Sequence, residues 1–251
     1  MIGIASAHVV LAPDYVSQAV ETLRRTGADL VGGPIRASGS SPAGQAIAAA
    51  TSSRFGVGGA RFHYLDEEED VDTVYMGLCQ RETFARIGSF DLEMVHNQDD
   101  ELSYRLLDAG GRIVCNPAIR SEYFNRATIR SLWMQYFQYG YWKVRVAQKH
   151  PRQMRLRHFA SAGLVTGLAA AALVGRVPGV GGGPLAALCL SYAAANLTAS
   201  ALTSARRGWS LLPLLPVVFA TLHFSYGAGF IAGCLNAFAV GARGGRPRRA
   251  S

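Results

Sequence analysis

The chain has 251 residues, with 25 Lys+Arg against 17 Asp+Glu and a formal net charge of +8. It is 49% hydrophobic and 17% charged, below the roughly 25% charged of an ordinary soluble domain; disorder and a small disulfide scaffold are both excluded. All 17 acids lie at or before Glu122, where 10 Arg oppose them, so residues 1–122 carry −7 and residues 123–251 carry +15.

The first half alternates in the α/β manner. Ile2–Val10 is a short apolar run. After Pro13 a helical stretch runs to Arg25 and stops at Gly27, and Asp29-Leu-Val-Gly-Gly reads as a strand. A second helix is expected over about Gly44–Ser53, and the acidic run Asp66–Asp70 reads as a solvated loop. Strand Thr73–Met76, short helix Gln80–Ile87, longer helix Asp100–Ala109 and strand Arg112–Cys115 follow. This pattern implies an α/β fold with a mostly parallel sheet flanked by helices, which binds ligands at the carboxyl ends of its strands. Asp99, Asp100 and Glu101 crowd the start of the longer helix. The helix dipole and the free N–H groups there favour carboxylates; a general base aimed at a ligand is the other reading. The residues alone leave both open. Glu101 and Arg105, at i and i+4, read as an intrahelical pair.

In Ala127–His150 the residues Ile129, Leu132, Trp133, Tyr136, Phe137, Gly140, Tyr141 and Val144 share one helix face beside Lys and Arg. A membrane-surface helix needs this pattern, and packing against the sheet explains it equally. From Phe159 to Gly241 only Arg176, Arg206 and Arg207 are charged. The uncharged runs suit about three transmembrane helices, the first with Arg157 and His158 as a snorkelling flank. The expected parts are therefore 1–126, an α/β unit; 127–158, an interfacial helix and basic linker; 159–241, the membrane region; and 242–251, a basic tail. The cations of 143–157 place the first half in the cytoplasm. Three spans then put the tail outside, against that rule, so either the last run is re-entrant or the tail is an exception. No secretory leader opens the chain. The basic half has no nucleic-acid motif, so membrane lipids are the expected partner and nucleic acid is not. Cys79, Cys115, Cys189 and Cys234 form no CxxC pair and read as small apolar residues. His223, alone well inside a run, is expected to bond a neighbouring helix, which argues against a transporter.

The order Met76-Gly77, Arg81-Glu-Thr-Phe-Ala-Arg-Ile-Gly-Ser-Phe-Asp91, Asn97-Gln-Asp-Asp-Glu-Leu-Ser-Tyr-Arg-Leu and Ala109-Gly-Gly-Arg-Ile113 resembles the acceptor half of the family 2 inverting glycosyltransferases, which have the GT-A fold. The blocks GGPIRA (32–37), FGVGGARFHY (55–64) and QYFQYGYWKVRVAQKHP (135–151) are similar to its membrane-bound branch. The resemblance extends over about residues 2–240. It implies a partial, Rossmann-like GT-A domain followed by the interfacial helix and the spans, in a bacterial-type inner membrane. The implied activity is sugar transfer from a nucleotide diphosphate sugar, expected to be a UDP-sugar, to a lipid-linked or saccharide acceptor. That activity would serve exopolysaccharide biosynthesis beside other assembly proteins.

The resemblance also assigns residues. The acidic motif falls on Gln98-Asp99, making Asp99 the base and Asp100 the close second candidate. Gly58, Gly59 and Arg61 become loop elements near the site. Gln135 and Gln138, with Tyr139, stand where processive relatives carry Gln-x-x-Arg-Trp. Lys143 offers charge to a phosphate or to a lipid headgroup. The metal motif falls on Ser6-Ala7-His8, where Ser6 replaces an expected Asp. Mg²⁺ or Mn²⁺ would then rest on His8, which suits Mn²⁺ better. Family members carry further βα units ahead of this segment. Either the true start lies upstream, or this is a truncated, non-catalytic relative lacking donor binding.

Overall fold

The computed structural model describes residues 1–6 and 9–242; His8 and the tail from Arg243 lie outside the described residues. The first half is a mixed α/β unit. Its strands are β1 (Ile2–Gly3), β2 (Val9–Leu11), β3 (Leu30–Gly33), β4 (Arg36–Ser38), β5 (Glu69–Asp70), β6 (Tyr75–Cys79), β7 (Ile113–Cys115) and β8 (Ser121–Phe124). One sheet has the order β1-β6-β3-β7-β5 and a smaller one the order β2-β8-β4. The helices are α1 (Tyr15–Thr26), α2 (Pro42–Thr51), α3 (Arg54–Val57), α4 (Arg81–Ile87), α5 (Gln98–Asp108), α6 (Ile129–Lys149), α7 (Arg157–Val174), α8 (Gly183–Arg207) and α9 (Leu215–Ala242).

Local chemistry sets these boundaries. Ser41 accepts a hydrogen bond from the Gly44 N–H to cap α2, with Pro42 in the first turn, and Thr128 caps α6 through the Ser131 N–H. Gly27, at φ 66°, closes α1 by returning its N–H to the Leu23 carbonyl. Tyr15, Ala19, Thr22 and Leu23 form the buried stripe of α1, and Tyr15, Ala19 and Leu23 meet Val31, Leu78 and Val114 of the main sheet.

The sheet corrects two expectations. Only β3–β7 and β4–β8 pair in parallel; β1–β6, β3–β6, β5–β7 and β2–β8 are antiparallel. A parallel neighbour needs a crossover that returns the chain to the starting edge. After β3 the chain instead stays at the far edge to build β4, α2 and α3, so β6 enters from that side, with Tyr75 opposite Gly33. The run Ile2–Val10 is not one strand either: β1 and β2 belong to different sheets. The acidic run is exposed at Asp66, Glu67, Glu68 and Asp70, as expected of a solvated segment. Glu68, Glu69 and Asp70 pair with Arg25, Arg61 and Arg112, and Glu69–Asp70 form edge strand β5.

Three helices, α7, α8 and α9, are long and apolar enough to cross a membrane. They differ sharply in surroundings. In their most apolar stretches, 6% of α7 and 11% of α8 is buried, against 50% of α9. Cys189 and Cys234 lie on outward faces, while Cys79 and Cys115 are buried in the sheet; all four thiols are free. α9 packs against α6 through glycines. A Cβ on Gly140 would strike the Tyr226 carbonyl, and one on Gly229 or Gly233 would strike the carbonyl of Phe137 or Tyr141. α6 is therefore packed along its length as well as amphipathic.

This crossing makes a contrast that can be measured. Gly140→Ala is expected to destabilise the protein by about 1–3 kcal/mol, as overpacking does. Gly163→Ala, on an open face of α7 with nothing within 4 Å of the added carbon, should be neutral or slightly stabilising. Thermal unfolding in detergent compares the two, and equal midpoints would contradict the close approach.

Candidate functional site

A cavity of about 750 Å³ opens where β6 starts and α5 begins, and it continues down to Leu164 of α7, Tyr192 of α8 and Leu222 of α9. Its upper wall is the first turn of α5. Asn97 takes a left-handed conformation, φ 61°, just before that turn, and its side-chain amide donates to the Tyr139 carbonyl at 2.9 Å. Asn is among the few non-glycine residues that adopt this conformation readily. The cap thus turns Gln98, Asp99 and Asp100 toward the cavity, which all three line.

The two aspartates sit in opposite environments. Burial, reinforced by the neighbouring Asp100 charge, raises the Asp99 carboxyl from 3.8 to about 6. Burial would also raise Asp100, but the Lys143 ammonium, paired with it and hydrogen-bonded to it, holds its carboxyl below the ordinary value. Lys143 is itself buried, at 6% exposure, so the pair is fixed in a low-dielectric setting. His63 also lines the cavity; burial lowers it to about 4, leaving a neutral imidazole at pH 7.

An aromatic wall faces Asp99. The Gln135 amide donates to the hydroxyls of Tyr139 (2.9 Å) and Tyr123 (3.3 Å), and Tyr75 stands edge-on to Tyr123 at 5.7 Å. Tyr75 also hydrogen-bonds Ser6. Burial pushes the Tyr139 phenol to about 12 and raises Tyr75 as well, so both remain protonated donors at neutral pH. On the membrane side, the Arg157 guanidinium binds the buried Asp72 carboxylate and donates to the Gly59 carbonyl at 2.7 Å. Arg157 and His158 both line the cavity, which corrects their expected place as a flank reaching for headgroups: Asp72 supplies a nearer, buried counter-charge.

Of the residues singled out in the sequence, Asp99, Asp100, Gln98, Gly58, Gln135 and Lys143 come together on this cavity. Gly59 sits behind it, on Arg157. Arg61 turns outward to Glu69, and Gln138 is not among the lining residues. Glu101 points away, bonded to Arg105 at 2.7 Å and to His150 at 3.3 Å. The expected metal rests on His8, which lies outside the described residues. Among the described residues no three His, Cys, Asp or Glu side chains are grouped to hold a metal ion, Ser6 is engaged with Tyr75, and Asp100 is neutralised by Lys143. Sequence reasoning missed Asp72, His63, Tyr75, Tyr123 and the inward turn of Arg157. Only Arg157 left a signal, as a lone cation opening an otherwise uncharged helix.

No family model matches the chain. It is, however, 31% identical over 234 residues to succinoglycan biosynthesis protein ExoA of Rhizobium meliloti (strain 1021). The chain is similar to ExoA. The match takes in 89% of this chain and 66% of ExoA, so the chain spans just under two thirds of the length of that relative. The ExoA-like stretch is long enough to take in both the aspartate turn and the apolar helices.

The raised Asp99 carboxyl predicts a pH-dependent stability difference. A carboxyl raised in the folded state opposes folding only when ionised. The penalty is absent below about pH 4, grows between about 4 and 6 and is complete above. Asp99→Asn should therefore be more stable than the parent at pH 8, by on the order of 2–3 kcal/mol, and no more stable at pH 3.5. Thermal midpoints at the two pH values test this, and a variant no more stable at pH 8 would count against it.

Proposed function

We propose that this chain is a membrane-bound inverting glycosyltransferase of exopolysaccharide biosynthesis, with its α/β half facing the cytoplasm. It moves a sugar from a nucleotide diphosphate sugar, a UDP-sugar, to a lipid-linked or saccharide acceptor. The observation that carries this reading is the pair of adjacent aspartates in opposite environments on a cavity that reaches the apolar helices, in an ExoA-like chain.

In this reading Asp99 is the general base. It takes the proton of an acceptor hydroxyl as that oxygen attacks the anomeric carbon. The bond to the nucleoside diphosphate breaks on the opposite face, and the diphosphate leaves with the bonding pair. One displacement inverts the anomeric centre. Support for Asp99 over Asp100 comes from their surroundings: a base matched to neutral pH needs a raised pKa, and Asp100 is held ionised by Lys143. Lys143 and Arg157, each paired with a carboxylate, offer N–H donors near the developing negative charge. Tyr75, Tyr123 and Tyr139 offer flat faces and hydroxyl donors to a sugar ring. Ser6, in place of the expected Asp, favours a second reading, a non-catalytic relative without donor binding.

Transfer of label from UDP-sugars into membrane lipid or saccharide is the test. Asp99→Asn should lower transfer by roughly 10²–10⁴-fold while the protein stays folded. Activity of the parent should rise with pH through a midpoint near 6, set by the Asp99 carboxyl. Full activity of Asp99→Asn sinks the assignment of the base. Absence of both donor binding and transfer in the parent favours the second reading.

A further inference from the structure

α9 has the length and composition of a membrane span, yet its surroundings are those of a helix lying flat. From Leu215 to Gly233, roughly 28 Å of axis at ~1.5 Å per residue, one face of α9 stays on the α/β half. Leu215, Val218, Phe219 and Leu222 pack with Ala46, Ile47, Ala49 and Ala50 of α2. The Phe55 ring of α3 meets Phe219 at 5.0 Å and His223 at 4.8 Å. α6 lies along the same stretch and beyond it. Leu132 lies with Leu215 and Val218, Gly140 with Tyr226 and Phe230, and Tyr141 and Val144 with Gly233. Both numberings rise together, so α6 and α9 run side by side in the same direction.

α6 is no membrane span. Beside Gly233, its second half carries Lys143, Arg145 and Lys149, bound to Asp100, Glu93 and Asp91 of the α/β half. If α9 crossed the bilayer, these ion pairs and the aspartate turn would be carried to its far side. Ionised groups are not stable at that depth without a dedicated pathway. The other face of α9 is apolar: Val217, Leu235 and Phe238 are exposed and fall within about 60° of one another at 3.6 residues per turn, and between them Phe224 packs on Tyr192 of α8 at 5.5 Å. An in-plane helix needs a polar face only where it meets water. Here the face turned from lipid is covered by protein, so an apolar helix can lie flat.

We propose that α9 lies in the plane of the membrane as an interfacial layer beneath the α/β half, its Val217–Leu235–Phe238 face on lipid. The α7–α8 hairpin then remains the transmembrane element among the described helices. Leu222, His223 and Tyr226 of α9 also line the cavity, so its floor sits at headgroup level. Residue 242 lies on the same side as the α/β half, as does the Arg206-Arg207 end of α8, in keeping with the preference of cations for the cytoplasmic side. The proposal does not depend on the activity.

Cysteine accessibility tests it. In the full chain with Cys189→Ser and Cys234→Ser, which keeps only the buried Cys79 and Cys115, one exposed cysteine at a time is added by Ala109→Cys, Gly182→Cys or Gly241→Cys. A cysteine at Gly182 or Gly241 meets nothing within 4 Å. Membrane-impermeant maleimide is applied to vesicles of both orientations. Labelling of Ala109→Cys and Gly241→Cys from one side, and Gly182→Cys from the other, is the expected result. Gly241→Cys labelling together with Gly182→Cys from the side opposite Ala109→Cys overturns the in-plane helix, and all three labelling from one side overturns the hairpin. Should a cysteine variant fail to accumulate, green fluorescent protein and alkaline phosphatase fused after residues 182 and 242 give the same two-sided readout.

Discussion

A chain with a charged half and an apolar half must join them without stranding a charge at the seam. Here the buried carboxylate of Asp72 does this by holding Arg157, the first residue of α7. Removing either partner from such a pair leaves the other charge buried and uncompensated, which is far more destabilising than the net worth of the pair. Because Arg157 also donates to the Gly59 carbonyl, the same contact fixes the glycine loop at the cavity wall. His223 makes a second tie. One imidazole nitrogen is 2.8 Å from the Phe55 carbonyl, which can only accept, so that nitrogen carries the proton. The other then accepts from the Tyr192 hydroxyl at 3.0 Å.

Between these ties lies a short stretch of helix in which two neighbouring carboxylates behave differently. Asp99 and Asp100 differ by one residue, about 100° around the axis. That rotation is enough to present one to Lys143 and to leave the other without a cation. The division of labour is therefore made less by α5 than by α6, whose Lys143 arrives from 43 residues away. The glycine crossing that seats α6 on α9 positions this lysine too, so helix packing and electrostatics at the cavity are one problem.

Much of this was legible in the residues. The charge asymmetry marked the two halves, Gly27 marked the end of α1, and the uncharged runs marked α7, α8 and α9 because hydrocarbon tolerates little else. The i,i+4 pairing of Glu101 with Arg105 was readable from spacing, as was the bonding of His223 to neighbouring elements. The direction of β6 was not: alternation of strands and helices says nothing about which edge the chain returns from. The inward turn of Arg157 was hidden because its partner, Asp72, is a single acid just beyond a run of five that mostly faces water and surface arginines. Partners distant in sequence leave no periodic trace.

Two non-glycine residues among those described have left-handed backbones, Met76 and Asn97, and both flank the cavity wall. Met76 sits in β6 next to the irregular pairing with β3, with its carbonyl held by the Tyr15 hydroxyl at 2.5 Å. Such conformations persist only where the surroundings over-determine them. Their consequence is for sequence drift: a β-branched residue at either position would meet strain that its volume and polarity do not reveal. The permitted substitutions at this wall are fewer than burial alone would allow, and the narrowest are at these two backbone positions, not at its carboxylates.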